Sequence, residues 1–172
     1  MHKAVFLDRD GVINRSIVVN GKPFPPRSLD EFTILPGVLD GLQRFRSKGY
    51  LNIIVTNQPD IANGLTTRGL VQQFHAVIKT KLPIDHIYMC DHASGADCRC
   101  RKPRTGMIDD AVKAFNIVLS ESAIIGDRWK DIECGHAAGI TKRYFIDYNY
   151  DERKPACDYI AVSGVDQASK DI

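Results

Sequence analysis

Two aspartates one residue apart, Asp8 and Asp10 in VFLDRDGVIN (5–14), close an apolar run near the start of the chain. Polar residues close similar runs farther on: Thr56, Asn57 and Gln58 after LNIIV (51–55), Arg101 and Lys102 beyond HIYMC (86–90), and Asp127, Arg128 and Asp131 after SAIIG (122–126). Carboxylates brought together repel one another unless a cation neutralises them. Oxygen ligands without a histidine suit a hard ion such as Mg²⁺. Beside such an ion, Lys102 can share the oxygens of a phosphoryl group while Thr56 donates a hydrogen bond. Asp8 can then attack phosphorus in line as a carboxylate nucleophile and form an aspartyl-phosphate. Asp10 is near enough to protonate the departing alkoxide and afterwards deprotonate the water that cleaves the intermediate. Phosphate monoesters are among the slowest substrates to hydrolyse unaided, so positioning without such groups would fall short.

These residues meet only if the apolar runs lie side by side. AVFL (4–7), LNIIV (51–55), HIYMC (86–90), SAIIG (122–126), RYFI (143–146) and DYIAV (158–162) are short, rich in β-branched and aromatic residues, and bounded by turn residues, which predicts buried strands. Between them, residues 38–49, 66–82, 105–116 and 129–139 repeat apolar positions at three and four, which predicts amphipathic helices, the first and last stopping at a glycine. Alternating strand and helix implies an α/β fold, a parallel sheet with helices on both faces. In such a sheet the ligand crevice lies at the carboxyl ends of the strands, where the polar residues fall. Residues 15–37 are a proline-rich insertion expected to form a small flap or loop, and VDQASKDI at the end predicts a last short helix.

With 172 residues the chain is sized for a single domain, 1–172. A formal net charge of +2 gives no general pull toward nucleic acid or membrane, so anion binding must be local. No apolar stretch reaches the length of a membrane span and MHKAVFLDRDG lacks the features of a signal peptide, so a cytoplasmic protein is expected. There the five cysteines stay reduced, and clustered ones point to metal. Cys90, His92, Cys98 and Cys100 lie within eleven positions, and three thiolates with one imidazole suit a tetrahedral structural Zn²⁺. Four filled positions leave none for a catalytic water.

The segments FLDRDGVIN, IVTNQ, CRKP and IIGDRWKDIECG resemble, in order and separation, the four motifs of the haloacid dehalogenase superfamily of phosphatases. The resemblance spans roughly residues 4 to 140. It implies a Rossmann-like sheet, Asp8 as nucleophile, Asp10 as acid and base, Thr56 and Lys102 as phosphoryl stabilisers, and Mg²⁺ held by Asp8, Asp10 and Asp127, with Asp10 contributing through its backbone carbonyl. The zinc cluster running directly into RKP is similar to the D-glycero-D-manno-heptose-1,7-bisphosphate phosphatase family and to its relatives, the histidinol-phosphate phosphatases. NQPDIANG (57–64) and PRTGM tilt the resemblance toward the heptose bisphosphate, and hence toward carbohydrate metabolism and lipopolysaccharide biosynthesis. On that reading the partner is a small phosphorylated sugar, met by Asn57, Gln58, Arg101 and Arg128, with Arg27 a further contact from the insertion. The zinc loop aims Arg101 and Lys102. No large insert follows Asp10 or separates the second and third motifs, so no cap domain is expected, and the enzyme is expected to be a monomer.

Several of these residues also have ordinary readings. Asp131 is either a neighbour of the metal ligands or an acid in the first turn of a helix. Arg128 is either a substrate contact or half of a surface ion pair. Cys134, Cys157, His75, His86, His136 and Trp129 read as packing or surface residues. Response-regulator receivers also gather acids, a hydroxyl and a lysine at strand ends, as phosphoacceptor signalling modules without turnover. They lack an acid two residues after the acceptor, the place Asp10 fills. A 3′-phosphatase of nucleic-acid ends would need a basic stripe with interleaved aromatics, which the sequence lacks.

Overall fold

The alternation of β-branched runs with amphipathic segments resolves into a six-stranded, all-parallel sheet in a computed structural model that describes residues 1–172. Its strands are β1 (Lys3–Leu7), β4 (Tyr50–Asn57), β5 (His86–Cys90), β6 (Ala123–Gly126), β7 (Lys142–Ile146) and β8 (Ile160–Val162). They lie in the order β5-β4-β1-β6-β7-β8. The residues between the first two sheet strands hold a separate antiparallel hairpin, β2 (Ile17–Val19) and β3 (Lys22–Phe24). Strands β1 and β4 run in register from Lys3 opposite Tyr50 to Leu7 opposite Ile54, and β6 flanks β1 on its other side. The chain therefore winds outward from β1 in both directions. The switch in winding opens a crevice at the carboxyl end of β1, where Asp8 follows.

Side chains alternate across a strand, and β1 shows the consequence. Val5 and Leu7 join a core with Val38, Leu42 and Phe45 of α1 (Val38–Ser47), Ile78 of α3 (Arg68–Lys81), and Val165 and Ala168 of α6 (Val165–Asp171). Ala4 and Phe6 face the other way, into a core with Met107, Ile108 and Ala111 of α4 (Gly106–Phe115) and Cys134 of α5 (Trp129–Ala137). Both faces of the sheet are thus covered, as the alternating pattern predicts.

The two glycine stops fall where expected. Gly49 and Gly139 adopt φ of 82° and 85° just beyond α1 and α5. The helix predicted at 66–82 starts at Arg68 because the Thr67 hydroxyl accepts the Leu70 N–H at 3.1 Å. The strand predicted at 158–162 shortens to Ile160–Val162, and the Asp158 carbonyl accepts instead from the Arg143 side chain at 2.9 Å. Two short pieces escape the sequence reading, α2 (Pro59–Ala62) and a 3₁₀ turn at Leu119–Glu121. The flap at 15–37 is more regular than expected. Asn20 and Gly21 both have positive φ, at 50° and 73°, the conformation of the two-residue turns that close hairpins.

Candidate active site

The strand ends converge on a solvent-open cleft of about 180 Å³, lined by Asp8, Asp10, Lys102, Asp127 and Asp131 and by Pro23–Pro25 of the hairpin. Carboxylate oxygens of Asp8, Asp127 and Asp131 lie within 4.8 Å of one another. One cation serves them from the protein. The Lys102 ammonium, 2 % exposed, donates to Asp8 Oδ1 at 2.8 Å and the Val55 carbonyl at 2.7 Å, and pairs with Asp131 Oδ1 at 2.7 Å. Burial acts against the charge on Lys102, but Asp131 and Asp8 outweigh it and hold the ammonium's pKa above its ordinary value. Asp8 is pushed up to about 6: burial raises it, Lys102 pulls it down, and Asp131 and Asp10 raise it again. Asp127 is driven well above the ordinary carboxylate range by burial and by the Asp8 and Asp131 charges.

Asp127 shows what the cluster lacks. Its Oδ2 accepts the Tyr150 hydroxyl at 2.9 Å, while its buried Oδ1 has no protein partner. A buried unpaired carboxylate oxygen is costly, and a cluster of hard oxygens short of positive charge is the donor set a divalent cation satisfies. The loop after β1 packs closely against the other oxygen. Gly11 has a φ of 85°, and a Cβ built there would sit 2.0 Å from Asp127 Oδ2. The backbone approaches the carboxylate that closely only because the residue is glycine.

Asp10 lines the cleft but its carboxylate is not part of that cluster. Arg9 Nη2 donates to both of its oxygens at 2.9 Å, Asn14 Nδ2 to Oδ1 at 2.9 Å and Gln58 Nε2 to Oδ2 at 2.8 Å. Arg9 is fully buried, its guanidinium 5.5 Å from the Phe74 ring and its Nη1 3.4 Å from His75 Nε2. Burial and the neighbouring Arg9 push His75 down to about 4, so it faces Arg9 as a neutral acceptor.

Asn57 and Gln58, expected to meet substrate, line the cleft and also do internal work. Asn57 clamps the Lys102 backbone, accepting its N–H at 3.1 Å and donating to its carbonyl at 3.2 Å. Gln58, 1 % exposed, bridges Asp10 to the Thr56 hydroxyl, which accepts from its Nε2 at 2.9 Å. Thr56 itself is 1 % exposed and is not among the residues lining the cleft. Arg101 and Arg128 line the cleft as well, but they differ. Arg128 is half of an ion pair, its Nε donating to both Glu152 oxygens at 2.8 Å, whereas Arg101 rests on Ser94 Oγ at 3.0 Å and the His92 carbonyl at 3.4 Å. Arg27 is outside the cleft lining. Asp131 fills both of its readings, since its second oxygen accepts the Arg128 N–H at 3.0 Å and caps α5. Trp129 packs under the Arg153 guanidinium, 3.6 Å from the ring centre. Arg9, Lys130, Tyr150 and Glu152 belong to the site without having been singled out in the sequence.

The cysteine cluster sits at the end of β5. Cys90 Sγ is 3.7 Å from Cys98 Sγ and 3.5 Å from His92 Nδ1, and Cys100 Sγ is 3.3 Å from the same nitrogen. All four ligand atoms fall within 4.8 Å of one another. Tetrahedral Zn–S bonds of about 2.3 Å put sulfurs about 3.8 Å apart, so the donor set fits zinc in both chemistry and spacing. The closed loop leads directly into Arg101 and Lys102.

A family model described as HAD-hydrolase-like matches residues 99–143. The D-glycero-beta-D-manno-heptose-1,7-bisphosphate 7-phosphatase of Haemophilus influenzae is 31% identical over 157 residues, covering 85% of this chain and 82% of that protein. The alpha-anomer 7-phosphatase of Burkholderia mallei is 36% identical over 151 residues, covering 81% and 77%. Among solved structures, the D,D-heptose 1,7-bisphosphate phosphatase of B. bronchiseptica, complexed with magnesium and phosphate, shares the fold with a TM-score of 0.77 at 23% identity over 98% of this chain and 97% of that one. The class is that of haloacid dehalogenase-like phosphatases, which are phosphoric monoester hydrolases. Within it, the chain belongs to the family that contains the D-glycero-manno-heptose-1,7-bisphosphate 7-phosphatases.

Proposed function

We propose that the chain, acting as one domain and as a monomer, is a Mg²⁺-dependent phosphatase that removes one phosphate from D-glycero-D-manno-heptose 1,7-bisphosphate through an aspartyl-phosphate on Asp8. The observation that carries this reading is the unpartnered Asp127 Oδ1 beside an Asp8 carboxylate that shares one lysine with Asp131. Asp8, Asp127 and the Asp10 backbone carbonyl would hold Mg²⁺, which when bound neutralises the acids and the phosphoryl oxygens together. Lys102 fixes one Asp8 oxygen and leaves the other free to attack phosphorus. As that bond forms, the bond from phosphorus to the sugar oxygen breaks, and Asp10 gives its proton to the leaving alkoxide. Asp10 then takes a proton from water as the water attacks the acyl phosphate, which restores the Asp8 carboxylate and frees phosphate. Arg9, Asn14 and Gln58 keep the Asp10 carboxyl in one orientation throughout. Zinc on Cys90, His92, Cys98 and Cys100 would be structural, fixing the loop that carries Arg101 and Lys102.

The two sides of the cleft differ in what they offer the rest of the substrate. Toward the hairpin, Pro23 and Phe24 present an apolar face and Arg128 is already paired with Glu152. Toward the zinc loop, Arg101 and Lys130 have no carboxylate partner. Half-buried Lys130 is held below its ordinary pKa by burial and by the Arg128 and Arg101 charges. Uncompensated cations of this kind gain most from an anion, so the second phosphate lies over Arg101 and Lys130 and the sugar carbons lie against the hairpin.

The test is phosphate release with Mg²⁺ on the heptose bisphosphate and on L-histidinol phosphate in parallel, with Asp8→Asn as the blank. A large preference in kcat/KM for the heptose is expected. A preference for histidinol phosphate would replace this substrate with the other relative's, and an Asp8→Asn enzyme that keeps most of its activity would refute the mechanism.

A further inference from the structure

Residues 147–152, DYNYDE, follow β7 and fasten three parts of the site at once. The Tyr148 hydroxyl donates to the Gly11 carbonyl at 3.0 Å, in the loop after β1. The Asp151 N–H donates to the Gly21 carbonyl at 2.8 Å, at the tip of the hairpin. Glu152 holds Arg128. At the centre of these fastenings Tyr150, 8 % exposed, donates its hydroxyl to Asp127 Oδ2. The rings of Tyr148 and Tyr150 lie 5.5 Å apart, centre to centre.

Asp127 Oδ2 is therefore enclosed on two sides, by the Tyr150 hydroxyl and by the Gly11 backbone. The other oxygen, Oδ1, is buried and free. We propose that Tyr150 is a positioning residue for the metal: by occupying Asp127 Oδ2 it holds the carboxylate in the one rotation that offers Oδ1 alone to a divalent cation beside Asp8. This inference rests on the reading of Asp127 as a Mg²⁺ ligand. Without the hydroxyl, Oδ2 is buried with no donor, and the carboxylate turns to find one. Groups that orient a metal ligand in this way typically set metal affinity by 10–100-fold. A buried tyrosine also finds a partner simply to satisfy its hydroxyl, and Tyr144 does so at Asp171 Oδ2, 2.8 Å away and remote from the cleft. Tyr144 is thus the internal control.

The experiment titrates the full-length wild type, Tyr150→Phe, Tyr144→Phe and Asp127→Asn with Mn²⁺, reading bound ion by electron paramagnetic resonance and repeating with Mg²⁺ as competitor. Tyr150→Phe is expected to weaken binding about 10–100-fold, with Tyr144→Phe matching wild type. The expected split in turnover is a raised Mg²⁺ requirement with kcat at saturating Mg²⁺ within a few-fold of wild type. Wild-type affinity in Tyr150→Phe, or equal weakening in both tyrosine variants, overturns the inference. If Asp127→Asn keeps wild-type affinity, the ligand reading itself falls, and that outcome is distinct from the first. Should Tyr150→Phe fail to fold, the wild-type chain labelled with ¹³Cζ-tyrosine answers the same question. Mg²⁺ should then shift the Tyr150 resonance, and six unmoved tyrosine signals would overturn the proposal.

Discussion

Replacing the proposed nucleophile should make the metal-free protein more stable. Asp8 is raised from 3.8 to about 6 by burial and by Asp131 and Asp10, against the pull of Lys102. Below its unfolded value the group is protonated in both states and costs nothing. As pH rises from about 4 to about 6 the unfolded chain releases its proton first, and stability falls by about 1.4 kcal/mol per pH unit. Above about 6 both states are ionised and the penalty levels off at about 3 kcal/mol. Asp8→Asn mimics the neutral side chain and keeps an acceptor for Lys102, so roughly 1–3 kcal/mol of that penalty should be relieved at pH 7.5. A chain of this size gains about 2–4 °C in Tm per kcal/mol, which puts the increase at roughly 2–12 °C. Thermal unfolding by circular dichroism in EDTA, at pH 7.5 and again near pH 4, reads the effect directly. The advantage should shrink toward pH 4, and Mg²⁺ should raise the wild type more than the variant, because a ligand bound only by the folded state stabilises it. An Asp8→Asn protein that melts at or below wild type in EDTA at pH 7.5 would refute the reasoning. So would an advantage undiminished near pH 4.

Gly11→Ala should raise the Mg²⁺ concentration for half-maximal activity at least about tenfold, because its Cβ displaces Asp127 Oδ2, and a Mn²⁺ titration checks it. Cys98→Ser should lose stoichiometric zinc, measured by atomic emission, and lower turnover through the loop that carries Lys102. Lys130→Met should cut kcat/KM on a sugar bisphosphate by about tenfold or more, a loss on the scale of one charge-assisted contact, while p-nitrophenyl phosphate turnover stays within about twofold.

Much of this site was legible because its chemistry sits at strand ends. Apolar runs bounded by turn residues located β1, β4, β5 and β6, and a parallel sheet places whatever follows such runs at one rim. Asp8, Lys102 and Asp127 could be gathered from sequence alone for that reason. Asn57 and Gln58 share the same strand end, yet their side chains turn inward to Lys102 and Asp10, and spacing does not reveal which way an amide points. Arg9 was overlooked because an arginine between two acids reads as a solvated charge; only packing against Phe74 and His75 buries it. The hairpin did leave a signal, the Asn20-Gly21 pair, hidden among the prolines of residues 15–37. Tyr150 left none. It reaches Asp127 across 23 residues from a loop that carries no motif, a contact set by how β7 lies beside β6.

The covalent intermediate is the claim on which the rest depends. Asp10→Asn should still form it from p-nitrophenyl phosphate, whose leaving group needs no proton, but should hydrolyse it slowly for want of a base. Acid quench of a single turnover with Mg²⁺, followed by peptide mass spectrometry, should find the phosphoryl group on the peptide containing Asp8 and nowhere in the Asp8→Asn, Asp10→Asn double variant. Phosphate released by Asp10→Asn without any phosphorylated peptide, or a phosphoryl group carried on a different residue, would contradict the account.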